Sequence, residues 1–130
     1  MFSHHTKTKG DQGLGYIIAD LLANGIQVAL PISEHLPFDC IAISGEGKML
    51  KISVKYRKIY RGKVEVALKS VWSNSKGYHS VYYNKDEFDV TAIYCPDTKK
   101  IYYVRQDEVG DKKSINLRIE KPKLNIKTIE

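Results

Sequence analysis

The chain has 130 residues, the length of one domain. Hydrophobic residues make up 42% of it, enough for a single core without disulfide or metal staples, and no apolar run is long enough to cross a bilayer. A formal net charge of +6 argues against a cationic partner and fits either ordinary solubility charge or the footprint of a polyanion.

Met1 to Lys9 is polar and basic and lacks the apolar stretch of a secretion signal. The two cysteines, Cys40 and Cys95, lie in apolar runs without a Cys-x-x-Cys partner, which suits reduced, buried thiols rather than a zinc site. A cytoplasmic, nucleoid-associated location is therefore expected.

The first element is a helix. Leu14, Ile17, Ile18, Leu21 and Leu22 form one apolar stripe at helical spacing, with Thr8 as the expected N-cap and Asn24-Gly25 as the stop. Ile26 to Leu30 is a short apolar run, and a polar loop carries the chain through Pro37. Phe38 to Ile43 reads as a strand, Ser44 to Gly47 as a turn, and Leu50 to Arg57 as a strand of strict alternation. Lys63 to Leu68 reads as a further strand, and residues 70–83 as an aromatic and polar stretch with a loop at Asn74, Ser75 and Gly77. Asp86-Glu87-Phe88 suits a helical turn, Val90 to Cys95 a continuously apolar strand, Ile101 to Val104 its return, and Ser114 to Ile119 an alternating strand. After Pro122 the chain reads as an edge strand or an arm. Strands dominate and helices are segregated, which predicts an α+β, sandwich-like single domain over 1–130, with a core at 6–108 and a C-terminal strand or tail at 109–130.

One constellation carries chemistry. Pro37-Phe38-Asp39 opens one strand and Ser53-Val54-Lys55 lies in the next, and the short turn between them predicts a hairpin. Ser53 and Lys55 project from the same face, opposite Ile52 and Val54, and Asp39 sits across from them if the register allows. A carboxylate, a second oxygen and a lysine suit phosphodiester cleavage. The oxygens suit a hard cation such as Mg²⁺, and the ammonium can orient water or meet charge developing on phosphorus. A solvated acid–base pair is the plainer reading of that spacing alone.

Several longer stretches accompany these motifs: Lys9-Gly10-Asp11, the run from Pro31 to Asp39, Val71-Trp72-Ser73, Glu87-Phe88-Asp89 and Tyr94 to Thr98. Together they resemble the PD-(D/E)XK nucleases, and among them the small group I intron-associated homing endonucleases, whose second motif often reads Gln-x-Lys. The resemblance implies a restriction-endonuclease-like core with a central mixed β-sheet behind an N-terminal helix. It also implies a Mg²⁺-dependent endonuclease (Mn²⁺ as an alternative) acting on double-stranded DNA as a homodimer or homotetramer, with no membrane partner. Asp39 falls at the metal-binding aspartate, Lys55 at the catalytic lysine, and Val54 at the position whose carbonyl can bind metal. Ser53 stands where the family has Glu, Asp or Gln, and Leu14 stands near the family's helix glutamate, with Asp11 as the nearest carboxylate. A catalytically degenerate DNA-binding module and a Holliday-junction resolvase-like enzyme are the alternatives.

The remaining polar residues have two readings each. Glu34 and His35 line the site or decorate a loop. Glu65 replaces a missing carboxylate or faces solvent, as its alternation favours. His79 is a proton shuttle or a structural group in its loop. The tyrosines and Trp72 stack on bases or fill the core, with core favoured. Arg57, Lys58, Arg61 and Lys63, with Lys9, are the expected DNA-phosphate contacts.

Overall fold

The computed structural model describes residues 5–84 and 86–119. Helix α1 (His5–Ala23) is followed by strands β1 (Gln27–Ala29), β2 (Cys40–Ile43) and β3 (Met49–Tyr56). Then come β4 (Lys63–Ala67), β5 (Lys69–Asn74), β6 (Gly77–Tyr82), β7 (Val90–Cys95) and β8 (Lys100–Arg105), with a short α2 (Gln106–Val109) and β9 (Ser114–Arg118) at the end. The main sheet has the order β1-β2-β3-β7-β8. Only β3 and β7 run parallel; the other neighbours are antiparallel, so the sheet is mixed. β4 pairs with β9 and β5 with β6 in separate antiparallel ribbons.

Each face of the main sheet is covered by a different element. On one face Ile17 and Leu21 of α1 pack with Cys40, Ala42, Ile52, Val90 and Ala92. On the other, Ile93 and Cys95 meet Val64 and Val66 of β4, Ile115 of β9, and Phe88. β7 is buried along its whole length because it is the strand that both layers cover. The two cysteines lie in clusters on opposite faces, which rules out a disulfide between them. Burial, with Asp39 nearby, pushes the Cys40 thiol up to about 11, so it stays protonated.

Helix α1 begins earlier than its apolar stripe predicts. Thr8 lies inside the helix and is not its cap, and Lys9 lies on the helix instead of before it. The stop is as expected: Asn24 bonds back to the Asp20 carbonyl through both its backbone and its side chain, and Gly25 takes φ 79°. Leu22 is the stripe's one outlier, exposed at the helix end. Gly13 sets the approach of helix to sheet: a Cβ there would lie 3.5 Å from Tyr56 Cβ and 3.6 Å from Val54 Cγ1. At the far end, the Tyr103 hydroxyl donates to Asp20 at 2.6 Å and ties β8 to the helix.

Other expectations need adjustment. Residues 70–83 form a regular hairpin, in which the His79 ring sits 3.1 Å from Asn74 Oδ1 and serves a structural role. Asp86 to Phe88 is a turn without a helix, closed by Glu87 N–H on the Asn84 carbonyl. Glu65 points away from the Val64 and Val66 core and is exposed. The expected tail beyond Pro122 lies outside the described residues. No helix among the described residues is long and apolar enough to cross a membrane.

The packing yields two expectations. Gly13→Ala fits at ordinary contact distance and should raise stability by up to about 1 kcal/mol through helix propensity. Gly13→Leu should lower it by about 1–3 kcal/mol by prising α1 from β3; urea unfolding of both variants measures the pair. Neither Cys40 nor Cys95 should react with a thiol reagent at pH 8 until denaturant is added, as absorbance on disulfide exchange would report.

Candidate active site

β3 organises the site. It pairs with β2 through Cys40↔Ile52 and with β7 through Ser53↔Thr91. β2 ends at Cys40, so beyond Ile52 the edge of β3 has no strand beside it. Asp39 takes over there. Its N–H donates to the Ile52 carbonyl at 2.8 Å, and its carboxylate accepts the Val54 N–H at 2.7 Å. The register ends at Cys40↔Ile52, and Asp39, one residue before β2, sits at the open edge beside Val54 and lines the same cleft as Ser53 and Lys55. The Val54 N–H points toward Asp39 and away from β7, so by the alternation of a ladder the Val54 carbonyl faces that same open edge.

Ser53 and Lys55 do share a face, but that face is not the solvated one that the alternation of β3 suggests. It forms the floor of a cleft, and Ser53 is only 3% exposed. Thr91, beside Ser53 on β7, is fully buried and its hydroxyl has no partner among the described residues. Lys55 is half-buried, and its ammonium lies 3.2 Å from the Tyr83 hydroxyl. Lys51, four residues before Lys55 on this face, is engaged elsewhere: its ammonium donates to the Asp86 carbonyl at 2.9 Å, and its N–H to Asp89 at 2.8 Å.

A cleft of about 550 Å³ opens over these groups, lined by Asp39, Ser53, Val54 and Lys55 from the sheet, Glu34 and His35 from the β1–β2 loop, and Val81, Tyr82, Tyr83 and Glu87 opposite. A second hollow of about 360 Å³ adjoins it, where Gly10, Asp11 and Leu14 of α1 meet Glu34, Asp39 and Val54. Asp39 and Glu34 therefore stand on the rim between the two, with Asp11 across from them. Glu34 and His35 line the site, while Glu87, Tyr82 and Tyr83 join it without having been expected there. Glu87 is flagged only by the Glu-Phe-Asp stretch. Tyr83 carries no motif signal, because it lies 28 positions along the sequence from Lys55. Another cleft of similar size, between Lys48, Asp86, Asp89, Arg105 and Gln106, lies apart from Asp39 and Lys55. Its Asp89 is bonded to the Lys51 backbone and its Arg105 to Asp107.

Apart from the His35 imidazole, the metal donors lining the site near Asp39 are oxygens: its own carboxylate with one oxygen engaged by Val54, the Ser53 hydroxyl, the open-edge Val54 carbonyl, and the carboxylates of Asp11 and Glu34. That chemistry fits a hard divalent cation that keeps several waters. Among the described residues no three His, Cys, Asp or Glu side chains form a ready metal cluster, so the fit is to a sparse site.

The basic residues spread outward from Lys55. Arg57 is half-buried, donates to the Tyr56 carbonyl at 2.9 Å, and has its pKa lowered by burial, with Tyr83 opposing. Lys58, Lys63 and Lys9 are exposed. Arg61 sits at φ 52° in the two-residue turn that Tyr60 and Lys63 close, with its guanidinium 5.1 Å from the Tyr60 ring.

No curated protein matches the sequence. The solved structure of a bacterial homing endonuclease, I-Ssp6803I, aligns with a TM-score of 0.76 at 23% identity, covering 95% of this chain and 84% of that one. That likeness is one of fold, and it agrees with the N-terminal helix and central mixed sheet found here. The family described as PD-(D/E)XK endonuclease matches residues 4–130, across the helix, the sheet and the positions of Asp39 and Lys55, and the chain belongs to that family.

Proposed function

We propose that this protein is a metal-dependent DNA endonuclease, homing-endonuclease-like in design, with Asp39, Ser53 and Lys55 as its centre. The observation that carries the reading is that Asp39, bonded to the Val54 N–H, lines one cleft with Ser53 and Lys55, which share a face of β3. Asp39, the Ser53 hydroxyl and the Val54 carbonyl would hold Mg²⁺ or Mn²⁺, with Asp11 completing the set from α1. Such an ion, when bound, supplies Lewis-acid polarisation of a phosphate oxygen and acidifies water in its shell.

The chain's own groups do the rest. The Lys55 side chain lines the cleft and can orient a water or meet charge developing on phosphorus. Arg57, Lys58, Arg61, Lys63 and Lys9 would contact DNA phosphates and fix its position without reading sequence. The expected product is a cut strand with a 5′ phosphate. A double-strand cut requires two such sites, and hence a homodimer or homotetramer. A second reading, a DNA-binding module without cleavage, draws on one observation: the family's acidic or amide ligand is replaced by Ser53, short, uncharged and almost wholly buried.

Two measurements test the reading. Mn²⁺ or Mg²⁺ should raise the melting temperature of the parent, corresponding to about 2.7 kcal/mol at a hundredfold excess over Kd. Asp39→Ala should abolish the shift and Ser53→Glu should enlarge it. On supercoiled and branched DNA, the parent should nick only with metal, and Lys55→Ala should slow nicking by roughly 10²- to 10³-fold. Salt-sensitive DNA binding without cutting would move the assignment to the binding module.

A further inference from the structure

We propose that Tyr83 is a positioning residue for the Lys55 ammonium, its hydroxyl fixing where that charge stands in the cleft. The inference rests on the nuclease reading above for its consequence, though not for its geometry. The Lys55 ammonium is 3.2 Å from the Tyr83 oxygen and 5.3 Å from the ring centre. It is therefore much closer to the hydroxyl than to the π face, and the contact is a hydrogen bond from ammonium to hydroxyl oxygen, with the ring contributing little.

Tyr83 is itself held from two directions. Its N–H donates to the Leu68 carbonyl at 2.9 Å, which anchors the chain just after β6 to the end of β4. Its ring packs edge-on against Phe88, with centroids 5.3 Å apart and planes at 86°. Phe88 is buried in the core between the main sheet and β4–β9. The acceptor is thus fixed to the core, while the lysine stem that reaches it is flexible.

The choice of acceptor matters. Glu34, Asp39 and Glu87 all line the same cleft, yet among the described residues Lys55 forms no ion pair with any of them. A carboxylate partner would neutralise the ammonium and compete with phosphate for it. A phenol hydroxyl restrains the ammonium without cancelling its charge, leaving the remaining N–H donors free to face the cleft.

The test is a double-mutant cycle of Tyr83→Phe and Lys55→Ala, read as single-turnover cleavage rate and as DNA affinity. Tyr83→Phe keeps the ring that packs on Phe88 and removes only the hydroxyl. It should slow cleavage roughly 10- to 100-fold and leave DNA affinity within about twofold. In the Lys55→Ala background the same change should have almost no further effect, because the two groups act as one unit. Tyr78→Phe, at an exposed tyrosine of the β5–β6 hairpin outside the cleft, should leave the rate unchanged. A Tyr83→Phe enzyme of parental rate, or a loss that persists undiminished beside Lys55→Ala, overturns the proposal. The contact is also read without cleavage, from ¹⁵N spectra of lysine ammonium groups in metal-free protein. The resonance that vanishes in Lys55→Ala should shift and exchange faster in Tyr83→Phe, and an unmoved resonance overturns the positioning. A parent that cuts nothing while this resonance still responds would sink the nuclease reading and leave the Lys55–Tyr83 contact standing.

Discussion

The 2.7 Å bond from the Val54 N–H to the Asp39 carboxylate is where strand pairing gives way to the site. β2 covers the edge of β3 only as far as Ile52. A buried or half-buried edge leaves backbone groups that need partners. One side chain supplies the missing acceptor and is thereby locked in orientation, so the same carboxylate finishes the ladder and opens the cleft. β3 is treated this way three times. Asp89 accepts the Lys51 N–H near its start, Asp39 accepts at Val54, and Asp97 accepts the Ile59 N–H at 2.7 Å just past its end. Three aspartates, each after an apolar stretch or turn, hold one strand in register over the span that bears Ser53 and Lys55.

That anchoring explains how the site tolerates burial. Ser53 and Thr91 lie side by side, both buried, and the Thr91 hydroxyl has no partner among the described residues. An unpaired buried hydroxyl costs about 1–3 kcal/mol. Such a cost is sustained where the surrounding sheet fixes the backbone, here by pairing of β7 with β3 on one side and β8 on the other. The lysines of this face escape the same penalty because their ammonium groups reach the Asp86 carbonyl and the Tyr83 hydroxyl.

Much of this was legible in the sequence wherever the signal is local. The stripe of α1, the glycine-bearing turn after β2, the alternation of β3 and the unbroken apolar run of β7 each follow from a few neighbouring residues. So does the hairpin of β2 and β3, at whose open end Asp39 bonds to the Val54 N–H. What was not legible depends on distant partners. The parallel pairing of β3 with β7 spans the whole of β4 to β6, and nothing in either strand's pattern names the other. The polar face of β3 reads as solvent-facing because lysines alternate along it, yet Ser53 is buried and the two lysine ammonium groups are taken up by the Asp86 carbonyl and the Tyr83 hydroxyl. Thr8 reads as a cap because the apolar stripe starts after it, whereas backbone hydrogen bonding carries the helix back to His5. α2, with four residues, is too short to show a period. Tyr83 sits among exposed tyrosines of the β5–β6 hairpin, and only its contact with Lys55 sets it apart.

The substitution at Ser53 shifts weight onto the helix. On the proposed reading, a site that lacks one carboxylate or amide ligand must draw compensating oxygen from elsewhere, and Asp11 and Glu34 are the carboxylates that share a hollow with Asp39. Asp11 stands two residues before Gly13, the point where α1 comes nearest to Val54 and Tyr56. The close approach that a glycine permits there therefore also decides how near Asp11 comes to Asp39. Helix packing and ligand geometry become one variable. A larger residue at position 13 would change both together, whereas a change at Glu34, carried on a loop, would alter the site without disturbing the core.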